Sequence, residues 1–259
     1  MNLLWTDNLT NLSTNYLISP GRYAAFLIRY AGTAQSAQTV TSTDCGNVIL
    51  NALGADKINV DVDFLSQADN LYYGAVEASS AAGGAFAFSI YIPAGLWFDP
   101  VNTFVLSQQM QSYFKLDFPL MTSSIVASGT VQICGLLQNG NQSYWHNIYS
   151  FNVVAQGSGN ITNTIAKPNI STLYLKNPTA LIGQTQISKD SVSYANNAIA
   201  NELAYSNLIH QVETASTLYA CEFCPGKIVN QAQSTNLTYQ YSFSGAGTLA
   251  QYYSQVQYM

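Results

Sequence analysis

The chain has 259 residues, of which 48% are hydrophobic and only 8% charged, with a net charge of −5; ordinary globular domains carry about 25% charged residues. Its 18 Tyr, 11 Phe and 3 Trp exclude a disordered chain, which is poor in aromatics and rich in charge. Its 8 Lys and Arg, with Arg22 and Arg29 the only close pair, exclude a basic footprint for nucleic-acid phosphates.

In chain order, Met1 to Ser19 reads as an N-terminal arm, with turn formers between its few apolar residues. Met1–Asp7 has neither a basic n-region nor a long apolar core, so no export signal is expected. Tyr23 to Tyr30 is the first clear strand, and Gln38 to Thr43 follows a polar turn. Ile58, Val60, Val62 and Phe64 alternate with Asn59, Asp61 and Asp63 as in a half-buried strand, and Leu71 to Val76 is a further strand candidate. Phe86 to Ile92 shows the cleanest alternation. The uncharged run around it is no membrane span, because Gly83, Gly84, Pro93 and Gly95 interrupt it. Val105 to Tyr113 suggests a short helix, and Phe114, Leu116 and Phe118 resume a strand. Ile125 to Leu137 is the next strand, with Gly129 a candidate bulge.

After the Asn139-Gly140 turn, Tyr144 to Val154 forms another strand, followed by Ile170 to Lys176. Ser188 to Ser216 is the one long helical candidate, with Ser188 as N-cap and an apolar stripe through Val192, Ala195, Ile199 and Leu203. Strands are then expected at Thr217 to Ala220, Ile228 to Gln231, Leu237 to Phe243 and Gln251 to Tyr258. About a dozen short strands without strand–helix alternation indicate an all-β sandwich or barrel. The division expected is an arm over 1–19, a first β-sandwich lobe over 20–138, and a second β-rich lobe over 139–259 containing the helix at about 188–216.

No constellation supports catalysis. Cys221-Glu222-Phe223-Cys224 is a CxxC, the pattern of a redox pair or half a zinc site, with His210 the nearest further ligand in sequence. It lacks the βαβ setting of a thioredoxin site, and Cys45 and Cys134 lie far off, so Cys221 and Cys224 are only weak metal candidates and buried thiols or one disulfide are the simpler reading. No G-x-S-x-G accompanies either His146 or His210. Asp61 and Asp63, expected on one strand face with Asn59, suit an acid–base pair or calcium, or more simply a solvated face. Asn8, Asn11, Asn141, Asn160, Asn169 and Asn236 each begin N-x-S/T, a number that chance supplies in a chain so rich in Asn, Ser and Thr. No cofactor is expected.

Charge is absent between Asp117 and Lys167 and after Lys227. A surface of Asn, Gln, Ser, Thr and Tyr can be covered by neighbours without stripping water from ions. That suits a subunit of a shell, lattice or filament.

The stretch Gly21-Arg22-Tyr23-Ala24-Ala25-Phe26-Leu27-Ile28-Arg29-Tyr30-Ala31-Gly32-Thr33 resembles the opening strand of jelly-roll coat proteins of tailless icosahedral viruses. It is most similar to the small double jelly-roll major capsid proteins of membrane-containing phages and archaeal viruses. In that layout Tyr23 opens the first lobe and Tyr144 the second, and helices are inserted between strands of each lobe. The resemblance implies an all-β fold of two jelly-roll lobes, with a single elaborated jelly roll as the other layout. It also implies a virion location, no active site, and trimers that tile a shell. The partners it implies are copies of the chain itself, other virion proteins, and an underlying lipid membrane. An extracellular glycan-binding module using Trp97, Trp145 and Tyr149, and a surface-layer or filament subunit, are the alternatives that composition leaves open.

Overall fold

The computed structural model describes residues 1–10, 12, 15–75, 77, 81–98, 101–117, 124–212, 216–223 and 236–258. The chain forms two compact units, residues 1–146 with the terminal Tyr258, and residues 147–257.

The first unit contains β1 (Asn2–Asn8), β2 (Tyr16–Ile18), β3 (Gly21–Ala34), β4 (Asn47–Ala52), β5 (Ala55–Asp61), α1 (Val62–Tyr73), β6 (Ala85–Pro93), β7 (Phe104–Leu106), β8 (Ser112–Leu116) and β9 (Val126–Leu137). One sheet runs β1-β9-β3-β6, with β7 beside the start of β3; the other runs β2-β8-β4-β5. In the second unit β10 (Tyr144–Ala155), β11 (Gly159–Ile165), β12 (Ile170–Lys176), β13 (Gln184–Lys189), β14 (Val192–Ala198), α2 (Ile199–Ile209), β15 (Leu218–Glu222), β16 (Leu237–Phe243) and β17 (Gly247–Tyr258) follow. Here the orders are β10-β17-β12-β15 and β11-β16-β13-β14. Leaving β7 aside and lettering the strands of each unit B to I in chain order, both units give the same sheets, B-I-D-G and C-H-E-F. That is the jelly roll, present twice, with one helix between F and G in each.

Each core joins its two sheets. In the first unit Phe26 on β3 stacks on Tyr23 at 4.9 Å and on Phe104 at 5.7 Å, and meets Phe114 of the opposite sheet edge-on at 5.0 Å. In the second, Leu173 and Leu175 of β12 pack with Tyr239, Tyr241 and Phe243 of β16 in one buried cluster. Each fully buried apolar side chain of this size contributes roughly 1.5–3 kcal/mol.

Several expected elements differ. The alternation from Ile58 does not continue as a strand past Asp61. Asp61 ends β5 and caps α1, its carboxylate accepting the Phe64 N–H at 2.8 Å, and Gly74 closes the helix in the left-handed region. Val62, Leu65, Ala68 and Leu71 are buried at helical spacing, with Phe64 alongside. Asp61 and Asp63 therefore share no strand face. The expected helix over 105–113 is instead β7 and β8 with a bend between them. The long helix expected over 188–216 is a hairpin followed by an 11-residue helix. Asp190 and Ser191 both take positive φ, 50° and 69°, and turn β13 into β14. Residues 2–8 and 16–18, within the stretch expected as an arm, form β1 and β2. Tyr23 to Tyr30 lies in strand D, so its counterpart in the second unit is β12, while Tyr144 to Val154 corresponds to β1. Gly129 is not a bulge: it pairs in register with Gly32, and a Cβ there would meet Leu9 Cδ1 at 2.8 Å and the Ala31 carbonyl at 2.9 Å. The strand expected at Ile228 to Gln231 lies outside the described residues, as does Phe118. Among the described residues no helix is long and apolar enough to cross a membrane.

Candidate functional site

Of the two CxxC cysteines, Cys221 alone is described. Cys221 is buried on β15, and burial pushes its thiol up to about 12, so the thiolate that metal or disulfide chemistry requires is suppressed. Cys224 lies outside the described residues. Cys45 is buried, and burial, followed by the nearby Glu77, Asp44 and Asp63, raises its thiol well above the ordinary value. Among the described residues no group of three or more His, Cys, Asp or Glu is placed to hold a metal ion.

His210 closes α2 beside a cavity of about 220 Å³ lined by Tyr194, Glu202, Tyr205, Tyr219 and Cys221. Its Nε2 lies 3.2 Å from Glu222 Oε1, and its Nδ1 lies 2.8 Å from the Ser206 carbonyl. Burial disfavours its charge, but both ring nitrogens face acceptors, and these hold its pKa above the ordinary value. The contact from its Nε2 to Glu222 ties helix α2 to β15, and when protonated the ring donates to both acceptors.

His146 is fully buried in the first unit, with the Trp97 ring edge-on at 5.5 Å. Burial lowers its pKa to about 3, against the pull of hydrogen bonds to the Pro93 and Gly95 backbone. On the other side of Trp97, the Asp69 carboxylate accepts the indole N–H at 3.1 Å and the Tyr91 N–H at 2.6 Å. Burial lifts Asp69 to about 7, although both donors draw it down. This polar knot is enclosed and fastens α1 to β6. Asp63 takes the Gln67 side-chain N–H at 3.0 Å and the Ser42 hydroxyl at 3.2 Å. Trp97 and Trp145 are 2% and 3% exposed, so neither offers a ring to a sugar; Tyr149 is half-buried against Tyr253. Of the N-x-S/T asparagines, Asn8, Asn141, Asn160 and Asn236 are exposed, Asn169 is half-buried, and Asn11 lies outside the described residues.

What the fold assembles instead is uncharged surface. In the second unit, the buried parity of β11-β16-β13-β14 carries Tyr239, Tyr241 and Ile187. The opposite parity aligns Thr162, Gln240, Gln186 and Asn196 across all four strands, and beside them Thr164, Thr238, Ser188 and Ser193. Neighbours on this face bond to each other, as Ser242 Oγ does to Asn160 Oδ1 at 2.6 Å. The four strands hold one Lys and no Arg, Asp or Glu. That Lys189 is turned inward, its Nζ donating to the Ile170 carbonyl at 2.7 Å. In the first unit, the outer parity of β9-β3-β6 aligns Gln132, Arg29 and Ser89, then Thr130, Ala31 and Ala87, again with a single ion, Arg29. Residue order alone conceals these faces. They emerge once strand limits and register assign each side chain to a side.

No family model matches the sequence, and no curated protein matches it. Solved structures do match. The major capsid protein P2 of bacteriophage PM2 superposes with a TM-score of 0.67 at 13% identity, covering 98% of both chains. The STIV major capsid protein gives 0.68 at 12% identity, over 98% of this chain and 96% of that one. A chain of the PBCV-1 virus capsid gives 0.61 at 11% identity, over 97% and 93%. The likeness spans both jelly rolls, and at these identities what is shared is the fold.

Proposed function

We propose that the chain is a structural virion protein, a major capsid protein that assembles with copies of itself into an icosahedral shell. The observation that carries this reading is the doubled jelly roll, matched over nearly its whole length by capsid proteins of three viruses. The surface chemistry supports it independently. Covering a plane of Thr, Gln, Ser and Asn removes no ion from water, whereas each buried unpaired charge costs several kcal/mol, on the order of 3–5 when its partner is missing. The polar residues singled out by sequence also have structural duties: Asp61 caps a helix, His210 ties α2 to β15, and the Cys221 thiol is buried and protonated. In this reading the chain works through extended contacts. Homotrimers are the proposed building unit, with other virion proteins and an underlying lipid membrane as further partners.

Electron microscopy of the purified protein and of particles containing it tests the reading. Trimers or larger closed assemblies are expected. A protein that stays monomeric at high concentration and is missing from particle shells overturns it.

A further inference from the structure

Among the described residues the two units leave different strands at a sheet edge. In the first unit the F strand, β5, forms one end of its sheet, and the next strand in that order is β10. The opening residues of β10, Tyr144–His146, belong to this same unit. They are buried there, and Lys57 Nζ of β5 lies 5.0 Å over the Trp145 ring. The F edge of the first unit is therefore covered by the beginning of a B strand. In the second unit the F strand is β14, which ends its sheet and, among the described residues, pairs only with β13. The B strand left over is β1, which among the described residues pairs only with β9.

These two edges match. Each is 7 residues long. Each exposes two apolar side chains at its register irregularity: Leu3 and Trp5 on β1, at 59% and 39%, with Trp5 also edge-on to Tyr16, and Val192 and Tyr194 on β14, at 55% and 39%, with Tyr194 also edge-on to Phe223. Each ladder has one register irregularity, between Leu3 and Trp5 in one and between Ile187 and Ser188 in the other. Neither strand contains Lys or Pro, the residues that normally keep an edge from pairing. The single ion, Asp7, is already engaged by the Tyr16 hydroxyl at 2.9 Å.

We infer that β14 of one copy pairs with β1 of a second copy, extending the C-H-E-F sheet of the second unit by a B strand. The contact reproduces between copies what β5 and the opening of β10 do inside the first unit. The contact brings aliphatic and aromatic side chains of the two edges together, and cross-strand pairs of this kind contribute roughly 0.2–1 kcal/mol each. Because the two partners are different edges, the contact is heterologous and propagates from copy to copy, closing a ring where its rotation permits. The inference rests on the self-assembly proposed above and names the strands that carry it.

The test uses the full chain and charges placed at Thr6 and Ser193, both exposed edge residues. T6K and S193K are each expected to weaken self-association about tenfold or more, read by sedimentation equilibrium. T6K/S193E, which sets opposite charges across the contact, restores association to within about threefold of the parent, while T6K/S193K does not. Circular dichroism and thermal unfolding check that every variant folds. G157K, at a position with open space around it, controls for added charge and is expected to associate like the parent. Association unchanged in T6K and S193K overturns the edge pairing and leaves self-assembly standing. A parent chain that does not associate at all overturns the reading on which the inference rests.

Discussion

Replacing His146 by Gln tilts the pH dependence of stability in one direction, and replacing Asp69 by Asn tilts it in the other. His146 is held at about 3 in the folded chain against 6.5 when free. Its depressed value means that its contribution is complete above pH 6.5 and is lost as pH falls toward 3, at about 1.4 kcal/mol per pH unit. Asp69 is the opposite case, raised from 3.8 to about 7, so its contribution is complete below 3.8 and is lost as pH rises toward 7. Between about pH 4 and 6.5 folding releases a proton from one group and binds one on the other, and the two slopes cancel. Urea unfolding across that window reads each variant against the parent, so the surface carboxylates common to both drop out. H146Q, whose amide still offers an N–H to the backbone carbonyls, is expected to lose about 1.4 kcal/mol per unit of rising pH relative to the parent. D69N is expected to gain the same amount per unit, whatever its offset at a fixed pH, and the double variant to return to the parent slope. Parallel curves for the parent and both single variants would refute the reasoning.

Three further outcomes follow from the packing. F26A removes the ring that joins both sheets of the first unit and is expected to cost about 3–5 kcal/mol, read from the shift of the urea midpoint at unchanged m-value. D61A strips the N-cap from α1 and is expected to cost about 1 kcal/mol in the same assay. Iodoacetamide at pH 8 is expected to leave Cys221 unmodified in the folded chain and to label it in urea; labelling of the native thiol contradicts its burial.

The β class was legible because Phe86 to Ile92, Leu237 to Phe243 and much of Ile125 to Leu137 alternate cleanly, each strand having one buried face. The helices were not, for a common reason. From Ile58 to Phe64 the apolar alternation crosses the β5–α1 boundary, since the first helical turn also places Val62 and Phe64 inward. From Val192 to Ile199 the apparent stripe joins an exposed strand residue, a buried strand residue and the first residue of α2. The Asp190-Ser191 turn that separates β13 from β14 lacks the glycine that usually announces positive φ. With α1 unrecognised and α2 begun too early, the helices appeared unequal and displaced. In the structure they have 12 and 11 residues and the same place between strands F and G. Strand β1 was missed because a terminal edge strand half exposed on both sides has no alternation to show. With β2 also taken as arm, its absence shifted the match between the lobes by two strands.

The same missed strand governs how the surface chemistry is to be understood. An uncharged face tolerates burial, but it does not select a partner, because Thr, Gln and Asn hydrogen-bond equally well to water. Selection needs groups whose exposure is itself unfavourable, and the described strands offer them at two edges, as Leu3 with Trp5 and as Val192 with Tyr194. A chain exposing an uncharged edge of this kind risks indiscriminate strand addition unless a defined partner covers it. Repetition of the jelly roll supplies that partner without a new surface. Two B strands and two F strands arise from two lobes, one F strand is covered by the opening of the second B strand, and one of each remains. The neutral faces then lower the cost of bringing copies together, while the apolar edges fix which strand meets which. Register and orientation are thus assigned to fourteen residues, seven on each edge, and the rest of the contact needs only to fit.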